Sequence, residues 1–229
     1  MTGIAAICGF EAEARLLRPL GIDVTVTAGN AARAQQAAER AAVEGGRARV
    51  SFGICGGLAP GLATGTLLLP RAVRSASGDV FPADETLRTA LAEALRQADL
   101  YFIEDELLGL DRIAMTRADK AALFAQSGAA AVDTESLFVA HAAHRARVPF
   151  LVLRAISDPA EISLPPAASV GLDEDGNPAI LSVLLSLLKN PFQLPGLIRA
   201  ARDADKALDA LEAARDAAAT VFSAPARAA

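Results

Sequence analysis

Acidic residues at the ends of apolar runs are the first candidates for chemistry in this chain. Val148-Pro149-Phe150-Leu151-Val152-Leu153 leads through Arg154-Ala155-Ile156 to Ser157 and Asp158, and strand ends in α/β sheets are where ligands and catalytic groups gather. A second segment, Val132-Asp133-Thr134-Glu135-Ser136, joins a short apolar stretch to a helical one. Carboxylates from two separate elements would then face one pocket. Burial among apolar strand residues raises the pKa of a carboxylic acid and equips it to protonate a poor leaving group; Ser157 would orient Asp158 by a hydrogen bond. A plainer reading stands beside this one. Asp133 or Thr134 serves equally as a helix N-cap with Glu135 in the first turn, and Ser157-Asp158 as a cap after a strand.

Two further constellations surround these residues. Ile7-Cys8-Gly9-Phe10-Glu11-Ala12-Glu13 turns from a strand into an acidic first helical turn, an arrangement that also simply complements the helix dipole. Gly-rich turns follow at Thr27-Ala28-Gly29-Asn30-Ala31-Ala32-Arg33 and along Ser51-Phe52-Gly53-Ile54-Cys55-Gly56-Gly57-Leu58, continuing to Thr64-Gly65-Thr66-Leu67. A strand-to-helix turn such as the first exposes N–H groups that hold an anion or a polar ligand edge. Glycines at the second let a backbone lie close against a ligand. His141 and His144 sit one helical turn apart without a third metal-type ligand nearby, so they read as packing or surface residues and no metal is expected.

The elements that must position these groups alternate between strands and helices. Strands are expected at Gly3–Cys8, Asp23–Ala28, Val50–Gly53, Thr66–Pro70, Ala130–Asp133 and Pro149–Ile156, and helices at Glu11–Leu20, Asn30–Val43, Asp84–Ala98, Arg117–Gln126 and Glu135–Arg147. The pattern predicts an α/β fold with a mixed, mostly parallel central sheet and helices on both faces. Ser157 to Pro178, rich in Pro, Gly and Asp, reads as a long functional loop or lid. Residues 190–229 differ in character: Leu194, Leu197, Ile198, Ala201, Leu208 and Leu211 recur at helical spacing between charged residues, an amphipathic extension packed on the 1–189 domain.

Composition narrows the classes. A chain of 229 residues with 52% hydrophobic content suits one α/β domain. A net charge of −5, with Lys and Arg scattered, carries no footprint for nucleic acid. Cys8 and Cys55 lie in apolar surroundings without metal spacing and read as buried reduced thiols, which fits a cytoplasmic protein. The first residues carry no basic stretch and meet Glu11 and Glu13 at once, as a first strand rather than a signal peptide would. Ile180 to Leu188 is about half of the roughly 20 residues a membrane span needs.

The acidic turn after β-like Ile4–Cys8, the Gly56-Gly57-Leu58 segment, Val132–Ser136 and Arg154–Asp158 together resemble the purine nucleoside phosphorylase and nucleosidase superfamily. The resemblance covers most of residues 1–189, and the segment from Lys120 to Ser136 and the Leu194-Pro195-Gly196-Leu197 tail are most similar to its hopanoid-associated phosphorylases. It implies that Asp158 protonates a leaving purine, that Glu135 grips the ribose hydroxyls, and that Glu13 activates water, with Glu11 the competing assignment. Cys55, Gly56, Gly57 and Gly29 would lie against base and sugar, beside Ser157 and Thr134; most members carry Met at the Thr134 position. Ser51 and Ile54 stand where the phosphorylases place an Arg and a Ser or Thr to clamp phosphate, so hydrolysis is slightly favoured, with Arg154 and Arg33 left as anion-binding candidates. No cofactor is expected, inorganic phosphate being the co-substrate to test. The implied substrate is adenosylhopane, a lipid-linked adenosine, cleaved to adenine in hopanoid biosynthesis by a homo-oligomeric, cytoplasmic enzyme in peripheral contact with the inner membrane. The alternatives are a nucleosidase or phosphorylase for methylthioadenosine, adenosylhomocysteine or another free purine nucleoside, and a non-catalytic nucleoside-binding protein.

Overall fold

Short apolar runs and alanine-rich stretches alternate to build one ten-stranded sheet between two helical layers in the computed structural model, which describes residues 3–43, 48–166 and 190–223. The strands are β1 (Ile4–Cys8), β2 (Asp23–Val26), β3 (Ala48–Gly57), β4 (Leu67–Leu68), β5 (Ala72–Arg74), β6 (Val80–Pro82), β7 (Phe102–Ile103), β8 (Leu107–Gly109), β9 (Ala131–Asp133) and β10 (Phe150–Asp158). The helices are α1 (Glu11–Leu17), α2 (Ala31–Val43), α3 (Glu85–Gln97), α4 (Arg117–Ser127), α5 (Ser136–Ala146), α6 (Leu194–Ala217) and α7 (Ala219–Ser223). The sheet is mixed: β1–β2, β1–β3, β3–β10, β4–β7, β5–β8 and β8–β9 pair parallel, while β3–β9, β4–β10 and β5–β6 pair antiparallel.

β3 and β10 form the spine, paired from Arg49↔Phe150 to Gly56↔Asp158 with an irregularity between Ile156 and Asp158. Along its other edge β3 first pairs with β1 and then, at Gly56 and Gly57, with Val132 and Ala131 of β9. The C-terminal ends of β1, β9 and β10 therefore gather around one stretch of β3. Both faces of β10 are buried, as expected of a central parallel strand, and its side chains alternate between two cores. Leu151, Leu153 and Ala155 join Phe52, Leu17, Leu91, Leu95 and Leu211 under α1, α3 and α6. Val152 and Ile156 join Ile7, Ala37, Ala38, Val139 and Ala143 under α2 and α5.

Several elements depart from the sequence reading. The Gly-rich segment continues β3 through Gly57 rather than forming a loop from Ile54 onward, because these glycines pair on both edges with β9 and β10. The first helix ends at Leu17 and passes into a 3₁₀ turn, Arg18–Leu20, where Pro19 supplies no N–H and Gly21 closes the turn at φ 68°. β5, β6, β7 and β8, each two or three residues long, were not expected. The proposed loop or lid at 157–178 is described as far as residue 166; its remainder and the aliphatic run at 180–188 lie outside the described residues. The histidines pack edge-on against Phe81.

The C-terminal helix contributes to the main core with part of its apolar stripe. Ala207, Leu211 and Ala214 are its buried stripe and join the main core, so this helix is part of the same core as the sheet. Leu194 and Ile198 instead stay about half exposed, at 49% and 45%. Leu211→Ala is accordingly expected to lower unfolding stability by about 2–5 kcal/mol, and Ile198→Ala to stay within about 0.5 kcal/mol of the parent, both read from urea denaturation.

Candidate active site

The turn after β1 delivers Glu13 inward while Glu11 points out. Glu11 pairs with Arg18 and Arg15 at the surface, whereas Glu13 is fully buried. Glu13 Oε2 accepts hydrogen bonds from the backbone N–H groups of Gly9 (2.7 Å) and Phe10 (2.9 Å), and Oε1 from that of Ile54 (2.7 Å). These donors would otherwise form an anion-binding nest, and here a carboxylate of the chain itself fills it. A Cβ on Gly53 would overlap that carboxylate, so β3 must carry glycine there. Burial pushes Glu13 up to about 7, against the opposing pull of Arg154.

β9 and the start of α5 place the second carboxylate pair. Asp133 Oδ1 accepts from the Ser136 N–H (3.1 Å), so the capping role is real, and its other oxygen pairs with Arg154 at 2.7 Å. Glu135 Oε2 lies 3.2 Å from the same guanidinium, and its Oε1 accepts from the Thr134 hydroxyl at 2.7 Å. Burial raises the Glu135 pKa although Arg154 opposes it. Arg154 was expected to face an anion in the pocket. It is instead wholly buried behind the carboxylates, also donating to Ser51 Oγ (2.6 Å) and the Ile54 carbonyl (3.3 Å), because its place on β10 turns it to the same face as Val152 and Ile156. Arg33 likewise does not line the cavity described below.

At the end of β10, Asp158 meets a lysine that the sequence reading did not include. Lys120, from the first turn of α4, is fully buried, and its Nζ lies 2.6 Å from Asp158 Oδ2. It also donates to the carbonyls of Asp158 (3.0 Å), Pro159 (2.9 Å) and Ile162 (3.0 Å). The Ser157 hydroxyl lies 2.7 Å from Asp158 Oδ1 and 3.2 Å from the Cys55 carbonyl. Burial raises the Asp158 pKa, outweighing the lowering by Lys120. The available signal for Lys120 was its position one turn before Leu123, on the buried stripe of α4.

These groups open into a cavity of about 890 Å³. Glu13, Thr134, Glu135, Ser157, Asp158, Cys55, Gly56 and Gly29 all line it. Gly57 does not; a Cβ there would meet the backbone of Pro159 and Ala160 at 3.3 Å, so it serves the close passage of the chain after Asp158. Phe10, Val132, Ile113, Ile162, Leu164 and Leu208 supply apolar wall. From α6 the lining residues are Gly196, Arg199, Ala200, Asp203, Ala204 and Leu208, so of the apolar residues noted along this helix Leu208 reaches the cavity while Leu194, Leu197 and Ile198 do not line it. Among the described residues no cluster of His, Cys, Asp and Glu could hold a metal ion, and no helix is long and apolar enough to cross a membrane.

Comparison with known proteins agrees with this architecture. Residues 24–177 match the Phosphorylase superfamily, and the chain belongs to that family. Among solved structures it is similar to the futalosine hydrolase of Helicobacter pylori, at 17% identity over 93% of this chain and 97% of that one, with a TM-score of 0.66. The 5'-methylthioadenosine/S-adenosyl homocysteine nucleosidase of the same organism, bound to a pyrrolidine-based ligand, gives 16% identity, the same coverage and a TM-score of 0.66. The Campylobacter jejuni 5'-methylthioadenosine/S-adenosyl homocysteine nucleosidase gives 18%, 91% and 98%, and 0.64.

Removing the guanidinium from behind the site would leave Asp133 and Glu135 buried without their shared cation. Arg154→Met is therefore expected to cost about 3–5 kcal/mol in unfolding free energy, measured by chemical denaturation at neutral pH.

Proposed function

We propose that this protein cleaves the N-glycosidic bond of an adenosine-type nucleoside, with water as the nucleophile. The observation that carries the reading is the sorting of the buried carboxylates around one cavity: Asp158 with its pKa raised, Glu13 pushed to about 7, and Glu135 held between Arg154 and Thr134. Environments that separate carboxylates in this way assign acid and base.

In the reaction, Asp158 gives its proton to N7 of the purine while the C1′–N9 bond breaks and its electron pair leaves with the base. Positive charge develops on the ribose, and Glu135, gripping the 2′- and 3′-hydroxyls, orients the sugar and stabilises that charge. Glu13 takes a proton from water as its oxygen bonds to C1′. Water is favoured over phosphate because the N–H nest is occupied by Glu13 and the Arg154 guanidinium is committed to Asp133 and Glu135.

The cavity supports a substrate larger than adenosine. Its 890 Å³ stands near the top of the range of about 300–1,000 Å³ for small-molecule pockets, and Ile113, Ile162, Leu164, Pro165, Ala200, Ala204 and Leu208 leave much of it apolar. A bulky apolar 5′ substituent suits that space, and adenosylhopane, the substrate implied by the sequence resemblance, is the specific candidate. Methylthioadenosine and adenosylhomocysteine form the second reading, favoured by the two similar nucleosidases.

The tests are kinetic. Asp158→Asn should keep the fold and lose at least about 10²-fold in kcat; near-normal turnover would remove Asp158 from the acid role. Because a general base works only when ionised, kcat should fall roughly tenfold per unit as pH drops below about 7, the value of Glu13, and Glu13→Gln should abolish that limb. Adenine release should proceed without phosphate; ribose 1-phosphate as product would overturn hydrolysis. In direct competition, a nucleoside with a long apolar 5′ group should outcompete methylthioadenosine, and the reverse order would favour the second reading.

A further inference from the structure

We infer that Lys120 is a positioning residue for the acid Asp158, seating its carboxyl and receiving, as a fixed neighbouring positive charge, the carboxylate that each turnover leaves there. The inference rests on the proposed acid role of Asp158.

The geometry separates this lysine from an ordinary surface ion pair. Its Nζ is fully buried and faces four oxygens: the Asp158 carboxylate at 2.6 Å, and the carbonyls of Asp158, Pro159 and Ile162 at 2.9–3.0 Å. An ammonium has three hydrogens, so these oxygens share them. Carbonyl oxygens are acceptors alone, so three of the four contacts can be made only by the lysine's N–H groups donating. The same contacts tie α4 to the turn that leaves β10, and so fix where that turn presents Asp158. A Cβ on Gly56 would come within 3.1 Å of Asp158 Oδ2, so the carboxyl is confined from the β3 side as well.

The charge has a chemical consequence at the reacting step. Before cleavage Asp158 carries the proton; afterwards the proton is on the purine and Asp158 is a carboxylate beside an ammonium. Lys120 thus favours the state after transfer, while burial keeps the proton available before it. Ser157 accommodates both states with its single hydrogen, donated to Oδ1 of the carboxylate or turned to the Cys55 carbonyl when Oδ1 bears the proton. The other groups near the pair are Asp203 of α6, which raises Asp158, and Glu161 and Arg117 beside the turn, with the neutral thiol of Cys55 on β3.

The experiment compares the full-length parent with Lys120→Met, Lys120→Gln and Lys120→Arg. Two readouts are taken: adenine release from methylthioadenosine and from an adenosine bearing a long apolar 5′ group, each between pH 5 and 9, and titration of the Asp158 carboxyl by carbon-13 NMR, assigned against Asp158→Asn. Loss of the positive charge should raise the Asp158 pKa by about 1 unit or more. The alkaline limb of kcat moves up with it, while plateau kcat falls by about tenfold or more and KM changes little. Arg, which keeps the charge, should restore the position of the limb even where its bulk leaves the rate low. A neutral variant that folds and leaves both the Asp158 titration and the alkaline limb in place would overturn the inference and reduce Lys120 to a loop tie. If Met unfolds the protein, Gln, which keeps a hydrogen-bond donor, decides the matter in the same way. A parent that releases no adenine would defeat the proposed function, and the NMR titration would still decide whether Lys120 governs the Asp158 proton.

Discussion

A carboxylate can be buried in a protein where a cation or a set of N–H donors replaces the water it loses, and this chain meets that constraint differently at each of its sites. Asp133 and Glu135 share Arg154. Asp158 has Lys120. Glu13 has three backbone N–H groups and no cation in direct contact among the described interactions. Burial, with Glu135 adding to it, moves Glu13 up to about 7 against the lowering by Arg154 and by its N–H donors. Burial raises Asp158 and Glu135 as well, while their cations fix them in position and orientation.

The sheet makes this arrangement feasible. The parallel run of β1, β3 and β10 brings their C-terminal ends to the same side, and the late antiparallel pairing of β9 with β3 adds Asp133, Thr134 and Glu135 without a further helical layer intervening. Glycine provides the clearance. Gly9, Gly53 and Gly56 each face a site carboxylate, and at Gly9 and Gly56 an added Cβ would stand 3.1 Å from the oxygens of Glu135 and Asp158. Backbone glycines in β3 that look like loop residues in the sequence are in this sense part of the acid and base geometry.

What was legible in the sequence were the features with a period or a boundary. The apolar run ending at Asp158 and the turn through Gly9 marked positions where carboxylates gather, and the structure buries Glu13 and leaves Glu11 at the surface. Two- and three-residue strands such as β7 and β8 carry no period and stayed invisible. Arg154 shares a face of β10 with Val152 and Ile156, and because both faces of that strand are covered its guanidinium lies behind the carboxylates instead of in the pocket. Lys120 was missed because a lysine in a helix is ordinarily solvent-facing, and the carbonyls that hold it come from a turn some forty residues away in the chain. In α6 the periodicity picked out Leu211, which packs, but not Ala207 and Ala214, whose small side chains carry little signal.

That helix divides its labour along its length. Gly196, Ala200, Ala204 and Leu208 border the cavity, while Ala207, Leu211 and Ala214 are sealed into the core. In terms of inherited variation, the two sets follow one another along the same side of the cylinder, the earlier turns over the cavity and the later ones over the core. Gly196, Ala200 and Ala204 are small, so single substitutions to larger side chains there would narrow the cavity from this wall. Change in the earlier turns can therefore alter which molecules are admitted, while Glu13, Asp158 and the core under the later turns stay as they are.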